Sequence, residues 1–371
     1  MLKVKKSLLK KAVNALEKFD NRTGFFPDES FFRLSVRDDK FLLHKSDFMN
    51  DLVIRLKADL PGKADGWREG VCVRPNVFET VIRSLSEKPD FPVELSLEDF
   101  FLRIAERHYL PGTSGAEYPD APAERIETWS SISRNLVNDL AFVAPAMFDH
   151  EEPNLLNGVS IGEDVTATDG RGIHCLRGHG FSETNIIIPG DYVNLLLKLD
   201  PAGGMIGVGE SGRIYAQKGL WLLIGTPLNI KDSTYPDYHQ LLDNEYAYVF
   251  EINRSDFLSA LEEASVYVSE YEPHSTTLRM SFEPEKNRLK LKLTNDATGR
   301  FSHKLPVKTL QATEDSLLIG INVNYLRDAV SGFQDPSLFL HLNDNKQHVQ
   351  VTGRNPDKVA IIMPVRLEEE A

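Results

Sequence analysis

Only two cysteines, Cys72 and Cys175, occur in 371 residues, far apart in the chain. That count excludes a disulfide framework and a Cys-x-x-Cys metal site, and makes a reducing, cytoplasmic compartment the expected setting. No apolar run approaches the roughly 18–20 residues that a membrane-crossing helix needs. Positive charge is also short: 42 Lys and Arg against 55 Asp and Glu leave a formal net charge of −13. The acidic balance excludes a protein that coats nucleic acid with its whole surface. It leaves room for a restricted basic face, because local charge counts for more than the total. The basic N-terminal stretch MLKVKKSLLKKAVNALEKF lacks the continuous apolar core and small-residue cleavage site of a targeting peptide, and reads as a first helix.

What is present is a globular composition, 41% hydrophobic and 26% charged, with apolar material for several cores. The apolar residues fall into a repeating order. Leu326, Ala329, Val330 and Phe333 in INVNYLRDAVSGF share one face of a helix, with Asn322 placed to cap its start. Phe78, Val81, Ile82 and Leu85 repeat the spacing, as do Tyr192, Leu195, Leu196 and Leu199, each with a Pro near the helix start. A companion stripe lies upstream of each: Leu9, Ala12, Val13 and Leu16; a looser Ile132, Leu136, Leu140 and Val143; and Phe257, Ala260, Leu261 and Ala264. The companion helices are expected to begin near Ser7, Ser130 and Asn253. The order helix, strands, helix, strands therefore runs three times, at a period of about 124 residues, a domain's length rather than a solenoid repeat's. The expected division is 1–124, 125–245 and 246–371.

Between the helices, short alternating segments read as antiparallel strands: Phe31–Val36, Lys40–His44, Leu52–Lys57, Val93–Leu97 and Phe100–Ala105 in the first third. The segment Pro111–Glu124 is rich in Pro, Gly and Ala and reads as an interdomain linker, and the tail at 368–371 is acidic. Each third is expected to be α+β, two helices over antiparallel sheet. The helix faces away from the apolar stripes carry Lys11, Lys18, Arg83 and Arg134, with Lys198 and Arg327 flanking theirs. For one helix this is an ordinary solvated face; across several helices of an acidic protein it is a pattern. Glu262 and Glu263 break it on the last companion helix.

Two local motifs suggest other chemistry. GVGESG at Gly207–Gly212 satisfies GxGxxG, which binds a dinucleotide only where a helix opens from it; the strand-like RIYAQKGLWLLIG follows instead. His174, Cys175 and His179 lie close together, but neighbours on a strand point to opposite faces and no carboxylate sits at ligand spacing. No catalytic set, cofactor site or metal site is expected.

Five segments resemble one family, the bacterial β sliding clamp, the processivity subunit of the replicative DNA polymerase III. They are LLNGVSI at Leu155–Ile161, TATDGRGI at Thr166–Ile173, YPDY at Tyr235–Tyr238, INVNYLRDAV at Ile321–Val330 and AIIMPVRL at Ala360–Leu367. The resemblance implies a head-to-tail homodimer of three-domain chains, a ring that encircles double-stranded DNA with helices lining the hole. Lys11, Lys18, Arg83, Arg134, Lys198 and Arg327 would then face DNA phosphates without reading bases. His108 and Leu110 on an edge strand, and Tyr267 and Val268 after a helix, would lie at the dimer contact. It also implies a groove that takes short linear peptides of the polymerase, the clamp loader and repair proteins, walled by Leu156, Thr168, Gly170, Arg171, Ile173, Pro236, Leu241, Asn322, Tyr325, Ile362, Met363, Pro364, Val365, Arg366 and Leu367. The chain departs from the family pattern at Arg171-Gly172, where histidine-arginine is usual, at Gln240, where an arginine is common, and at Val365, which replaces a methionine. A nonenzymatic, cytoplasmic, nucleoid-associated role without a cofactor is implied. The rival with the same fold is a scaffold or decoy that binds peptides without encircling DNA, which ring closure on DNA would distinguish.

Overall fold

The computed structural model describes residues 1–19, 31–47, 49–60, 65–86, 88–98, 101–148, 154–180, 186–230, 233–242, 244–268, 276–314 and 316–367. The acidic tail at 368–371 and Phe100 lie outside these residues. Six α-helices occur among them: α1 Lys6–Leu16, α2 Pro75–Ser84, α3 Arg134–Val143, α4 Gly190–Lys198, α5 Arg254–Ser265 and α6 Val323–Gly332. Every strand pairing among the described residues is antiparallel, so the chain is α+β. It divides into two compact units, Met1–Val137 with Asp191–Pro227, and Asn138–Gly190 with Leu228–Ala371.

The first unit holds α1 and α2, whose apolar stripes are buried: Leu9, Ala12, Val13 and Leu16 on one, Phe78 and Ile82 on the other. Lys6 at the start of α1 is also buried, and its ammonium donates to the Leu85 carbonyl. A four-stranded sheet runs in the order Leu2–Lys5, Pro92–Glu98, Phe101–Ile104, His108–Pro111. A nine-stranded sheet runs Ile126–Ser131, Met205–Gly209, Ile214–Lys218, Trp221–Gly225, Asn50–Lys57, Lys40–Ser46, Phe32–Arg37, Val71–Val73, Thr113–Ser114. Asp38 and Asp39 both take positive φ, 48° and 57°, as a two-residue hairpin turn between right-twisted strands requires. Gly225 is needed where it stands: a Cβ there would come within 2.2 Å of the buried Tyr192 ring.

Two expectations change between residues 111 and 143, the start of the third helix and the linker. Ser130 belongs to a strand, and the third helix begins four residues later at Arg134, because the Ser133 hydroxyl accepts from the Leu136 amide (3.0 Å) and starts the turn there. Its buried residues are Val137, Leu140, Phe142 and Val143, and Leu136 is half-exposed. Pro111–Glu124 is not a free linker. Thr113–Ser114 adds to the sheet edge, and buried Arg33 donates to the Tyr118 carbonyl (3.1 Å) and to Asp120 (2.7 Å). Glu124 accepts from the Ser211 hydroxyl (2.6 Å), the Ser211 amide (2.9 Å) and Arg213 (2.9 Å), and these bonds, the hydroxyl first, hold its carboxyl down at about 2. Residues 210–213 join two strands, with Gly212 at φ 85°; no helix opens from GVGESG, so it cannot cradle a pyrophosphate.

The second unit is organised by one thirteen-stranded sheet. Its order is Ile186–Pro189, Gly158–Ile161, Val165–Thr168, Gly172–Leu176, Lys358–Ile362, Val349–Thr352, Ser337–Leu342, Tyr248–Asn253, Gly299–Gln311, Arg288–Asn295, Thr277–Glu283, Leu317–Asn322, Pro364–Val365. Helices α5 and α6 pack on one another and bury Phe257, Ala260, Leu261, Ala264, Leu326, Ala329 and Val330. Both helices are capped as their sequences imply: Asn253 accepts from the Asp256 amide (3.0 Å) and Asn322 from the Asn324 amide (2.9 Å). Phe250 and Phe282 stack in this core at 4.4 Å.

Replacing Phe250 by Ala removes that stack and leaves a cavity, at an expected cost of about 3–5 kcal/mol measured as a lower urea midpoint. Because the folded pKa of Glu124 lies below its unfolded value, its contribution is complete above the unfolded value and is lost as pH falls toward about 2. Acid titration of stability should therefore flatten over that window in Glu124→Gln; an unchanged profile would remove the tether assigned to it.

Candidate functional site

The carried-over groove residues all lie in the second unit, and strand pairing brings them together. Gly172–Leu176 pairs with Lys358–Ile362, Gly172 opposite Ile362, and the Met363 amide donates to the Arg171 carbonyl at 2.9 Å. The preceding turn is built by side chains. Asp169 accepts from the Arg171 and Gly172 amides, each at 2.8 Å, and the Thr168 hydroxyl donates to the Gly172 carbonyl (2.7 Å) while accepting from the Gly170 amide (3.0 Å). Gly170 sits at φ 85°, a conformation L residues avoid. Tyr325 of α6 closes the turn by donating to the other Asp169 oxygen, and burial, then that carboxylate, raises its pKa to about 12. A Cβ on Gly172 would come within 3.0 Å of the Tyr325 ring, so glycine here lets α6 approach the strand.

Beside this turn, Ile173 packs with Cys175, Leu242, Val359 and Ile361, while Tyr238 and Leu241 lie partly buried on the cluster. Pro236 is exposed and Leu156 half-exposed, the latter following Asn154, whose side chain caps a short turn of helix. On the other side of the C-terminal segment, Pro364–Val365 pairs with Leu317–Asn322, Val365 opposite Gly320. There Met363, Pro364, Val365, Arg366 and Leu367 border an open cavity of about 870 Å³. Its remaining lining is Arg279, Leu318, Gly320, Asn345 and Lys346. A side chain on Gly320 would collide with the Val365 carbonyl at 2.6 Å.

Not all the expected groove residues offer side chains to a visitor. Ile362 is 1% exposed and Thr168 2%, the first in the core and the second spent on its turn; Ile173, also buried, floors the apolar cluster. Asn322 is used as a helix cap. Sequence reasoning missed Arg279, Leu318, Gly320, Asn345 and Lys346, which come from strands and a loop with no motif of their own. Exposed Leu318 in an apolar strand was the available signal.

The expected DNA-facing cations are mixed. Lys11, Lys18 and Lys198 are exposed and have no ion-pair partner among the described residues. Lys18 and Lys198 line one cavity of about 350 Å³ with Asp47 and Asp191. Arg83, however, donates to Glu17 and to Asn14 (3.0 Å), Arg134 meets Asp200 at 2.8 Å, and half-exposed Arg327 meets Asp328 at 3.0 Å. Glu17, the residue that follows α1, thus places an acid beside these cations. Such exposed pairs exchange readily, being worth about 0–1 kcal/mol.

At the expected dimer contact, His108 is half-buried on the outermost strand of the four-stranded sheet. Leu110 points into the core at 3% exposure, which leaves only its backbone for an edge contact, and Tyr109 is the exposed apolar side chain there. Tyr267 and Val268 are half-buried after α5, and the Tyr267 carbonyl accepts from the Thr298 hydroxyl at 2.6 Å.

His174 stacks on Phe142 at 4.9 Å, and its Nδ1 meets the Phe142 carbonyl at 2.7 Å; Cys175 packs in the apolar cluster, and burial pushes its thiol up to about 12. Among the described residues no three His, Cys, Asp or Glu side chains gather as a metal site.

The family model described as DNA polymerase III beta subunit, C-terminal domain, matches residues 239–366. The beta sliding clamp of Synechococcus elongatus is 23% identical over 318 residues, covering 81% of this chain and 82% of its own. Among solved structures, the DNA polymerase sliding clamp of Caulobacter crescentus superposes with a TM-score of 0.83 at 18% identity, covering 99% of each chain. The DNA polymerase III subunit beta sliding clamp of Pseudomonas aeruginosa bound to griselimycin gives 0.81 at 20%, covering 98% of this chain and 99% of its own. The C-terminal third thus matches the C-terminal domain of the DNA polymerase III beta subunit, and the chain over its whole length shares the fold of the solved sliding clamps.

Proposed function

We propose that two copies of this chain close head to tail around duplex DNA and tether replication and repair proteins through the groove beside Met363–Leu367. The observation that supports the reading is the agreement in fold with clamp structures over 98–99% of this chain and 99% of theirs. The division 1–124, 125–245 and 246–371 belongs to the same reading, each third contributing two helices and antiparallel strands. Lys11, Lys18 and Lys198, joined by Arg83, Arg134 and Arg327 once their acids are exchanged for phosphates, would hold DNA without selecting bases. Closure would cover the outermost strand His108–Pro111 and residues 299–306 of the long strand Gly299–Gln311, which pair with Arg288–Asn295 alone. Polymerase, clamp loader and repair proteins would each dock an apolar segment over Leu156, Pro236 and Leu241, with Arg366 orienting it. The role is that of a tether, with no chemical step assigned to any residue. The scaffold or decoy reading draws on exposed Glu262 and Glu263 of α5, which would repel phosphates.

Arg366→Ala, and separately deletion of Met363–Leu367, should abolish binding of a partner peptide while leaving the melting transition nearly in place. Unchanged affinity in both would remove the groove assignment. On DNA, the loaded protein should stay on a nicked circle and slide off the same molecule once linearised. Replacing Lys11, Lys18, Arg83 and Arg134 together by Glu should lower retention on the circle at least tenfold. Equal retention on both DNA forms would favour the scaffold reading.

A further inference from the structure

Strand register in the second unit lines up a set of cations. Val365, Gly320, Arg279, Lys292 and Ser302 stand opposite one another in successive strands. The neighbouring row is Leu318, Ser281, Lys290 and Lys304, and Arg288 and Arg300 continue the same outward positions. The alternating residues Leu278, Met280, Phe282, Leu289, Leu291 and Leu293 are buried, so the cations share the solvent side. The carboxylate on these rows is Glu283, already held by Lys290, Arg288 and Lys286 (3.7 Å). Lys292, Arg300 and Lys304 have no ion-pair partner among the described residues. Lys290 faces Lys304 directly, an arrangement that weakens a strand pair. A chain with a net charge of −13 thus gathers like charge on one sheet face. The row starts at Val365, beside the cavity that Arg279, Leu318, Lys346 and Arg366 line, so the basic face runs up to the C-terminal segment that walls the groove.

We propose that this sheet face binds an acidic segment of the same partner protein whose apolar segment occupies the groove. The inference rests on the groove reading and adds the chemistry of the flanking sequence. Four interstrand steps separate Val365 from Ser302, about 19 Å, a span an extended peptide covers in about six residues. The outward rows carry Lys, Arg, Ser, Thr and Leu and no aromatic ring, so they lack the stacking platforms of a surface for single-stranded nucleic acid. Exposed Leu318 and Met363 at the near end suit the change from an apolar to an acidic stretch.

The test uses the full chain and labelled peptides with a Leu- and Phe-containing core flanked, on one side or the other, by about six Glu or six Gln residues. Fluorescence anisotropy should show one Glu-flanked peptide binding about tenfold more tightly than its Gln counterpart at low salt, with the gain lost at about 0.5 M salt. The double variant Lys290→Glu, Lys292→Glu should lose that gain while binding the Gln peptide as before; binding of the Gln peptide also shows that the variant is folded. Equal affinity of Glu and Gln peptides in either arrangement would overturn the proposal while leaving the groove in place. Failure of every peptide to bind would overturn the groove reading and this inference with it. A single-stranded oligonucleotide that binds the wild type and not the double variant, without any gain from Glu, would reassign the face to nucleic acid.

Discussion

The pairing of Gly172–Leu176 with Lys358–Ile362 is the contact on which the site depends. It joins segments about half the chain apart into one sheet, and Met363 follows directly beside the Asp169 turn before Pro364–Val365 pairs at the far end of the same sheet. Two glycines make the approach feasible. Gly172 admits the Tyr325 ring, and Gly320 admits the Val365 backbone on the opposite side. With a side chain at Gly172 the Tyr325 ring would have to give way slightly, and at Gly320 the Val365 backbone would have to shift. The candidate site therefore depends on close backbone approach as well as on its side chains.

The same sheet explains why charge can be placed against the overall balance. Its core face is a continuous apolar layer, from Leu278 to Phe282 and Leu289 to Leu293, that is stable enough to carry Lys290 opposite Lys304 on the other side. Hydrophobic burial at roughly 25 cal/mol per Å² outweighs an exposed like-charge pair several times over for each large side chain buried. In the first unit the helices do the equivalent: the Leu9, Ala12, Val13 and Leu16 stripe is buried while Lys11 and Lys18 stay exposed. In both units apolar packing fixes position and charge is displayed on what packing leaves free.

Much was legible in the amino-acid order because helices and strands impose different periods. The stripes of five helices lie where 3.6-residue spacing put them, and the hairpin at Asp38-Asp39 where two turn-forming residues split two apolar runs. The third helix was displaced because Ser130 and Ser133 are both plausible caps, and only the pairing of Ile126–Ser131 with Met205–Gly209 decides between them. Pro111–Glu124 looked like a linker because Pro, Gly and Ala carry no period; buried Arg33 and the Ser211 turn, both distant in sequence, are what fasten it.

Local periodicity and composition thus determined the α+β class, the helix faces and the exclusion of disulfide and membrane-spanning frameworks, because each depends on neighbours a few residues apart. The motif resemblance pointed to Met363–Leu367 as a wall of the proposed groove. Which of its residues face outward was decided by tertiary structure: strand parity buries Ile362 and exposes Met363, helix capping uses Asn322, and sheet order turns Leu110 inward. The cavity wall of Arg279, Leu318 and Lys346 and the cation rows beyond it exist only through register, since opposite residues on paired strands are set by hydrogen bonding between segments that the sequence places far apart.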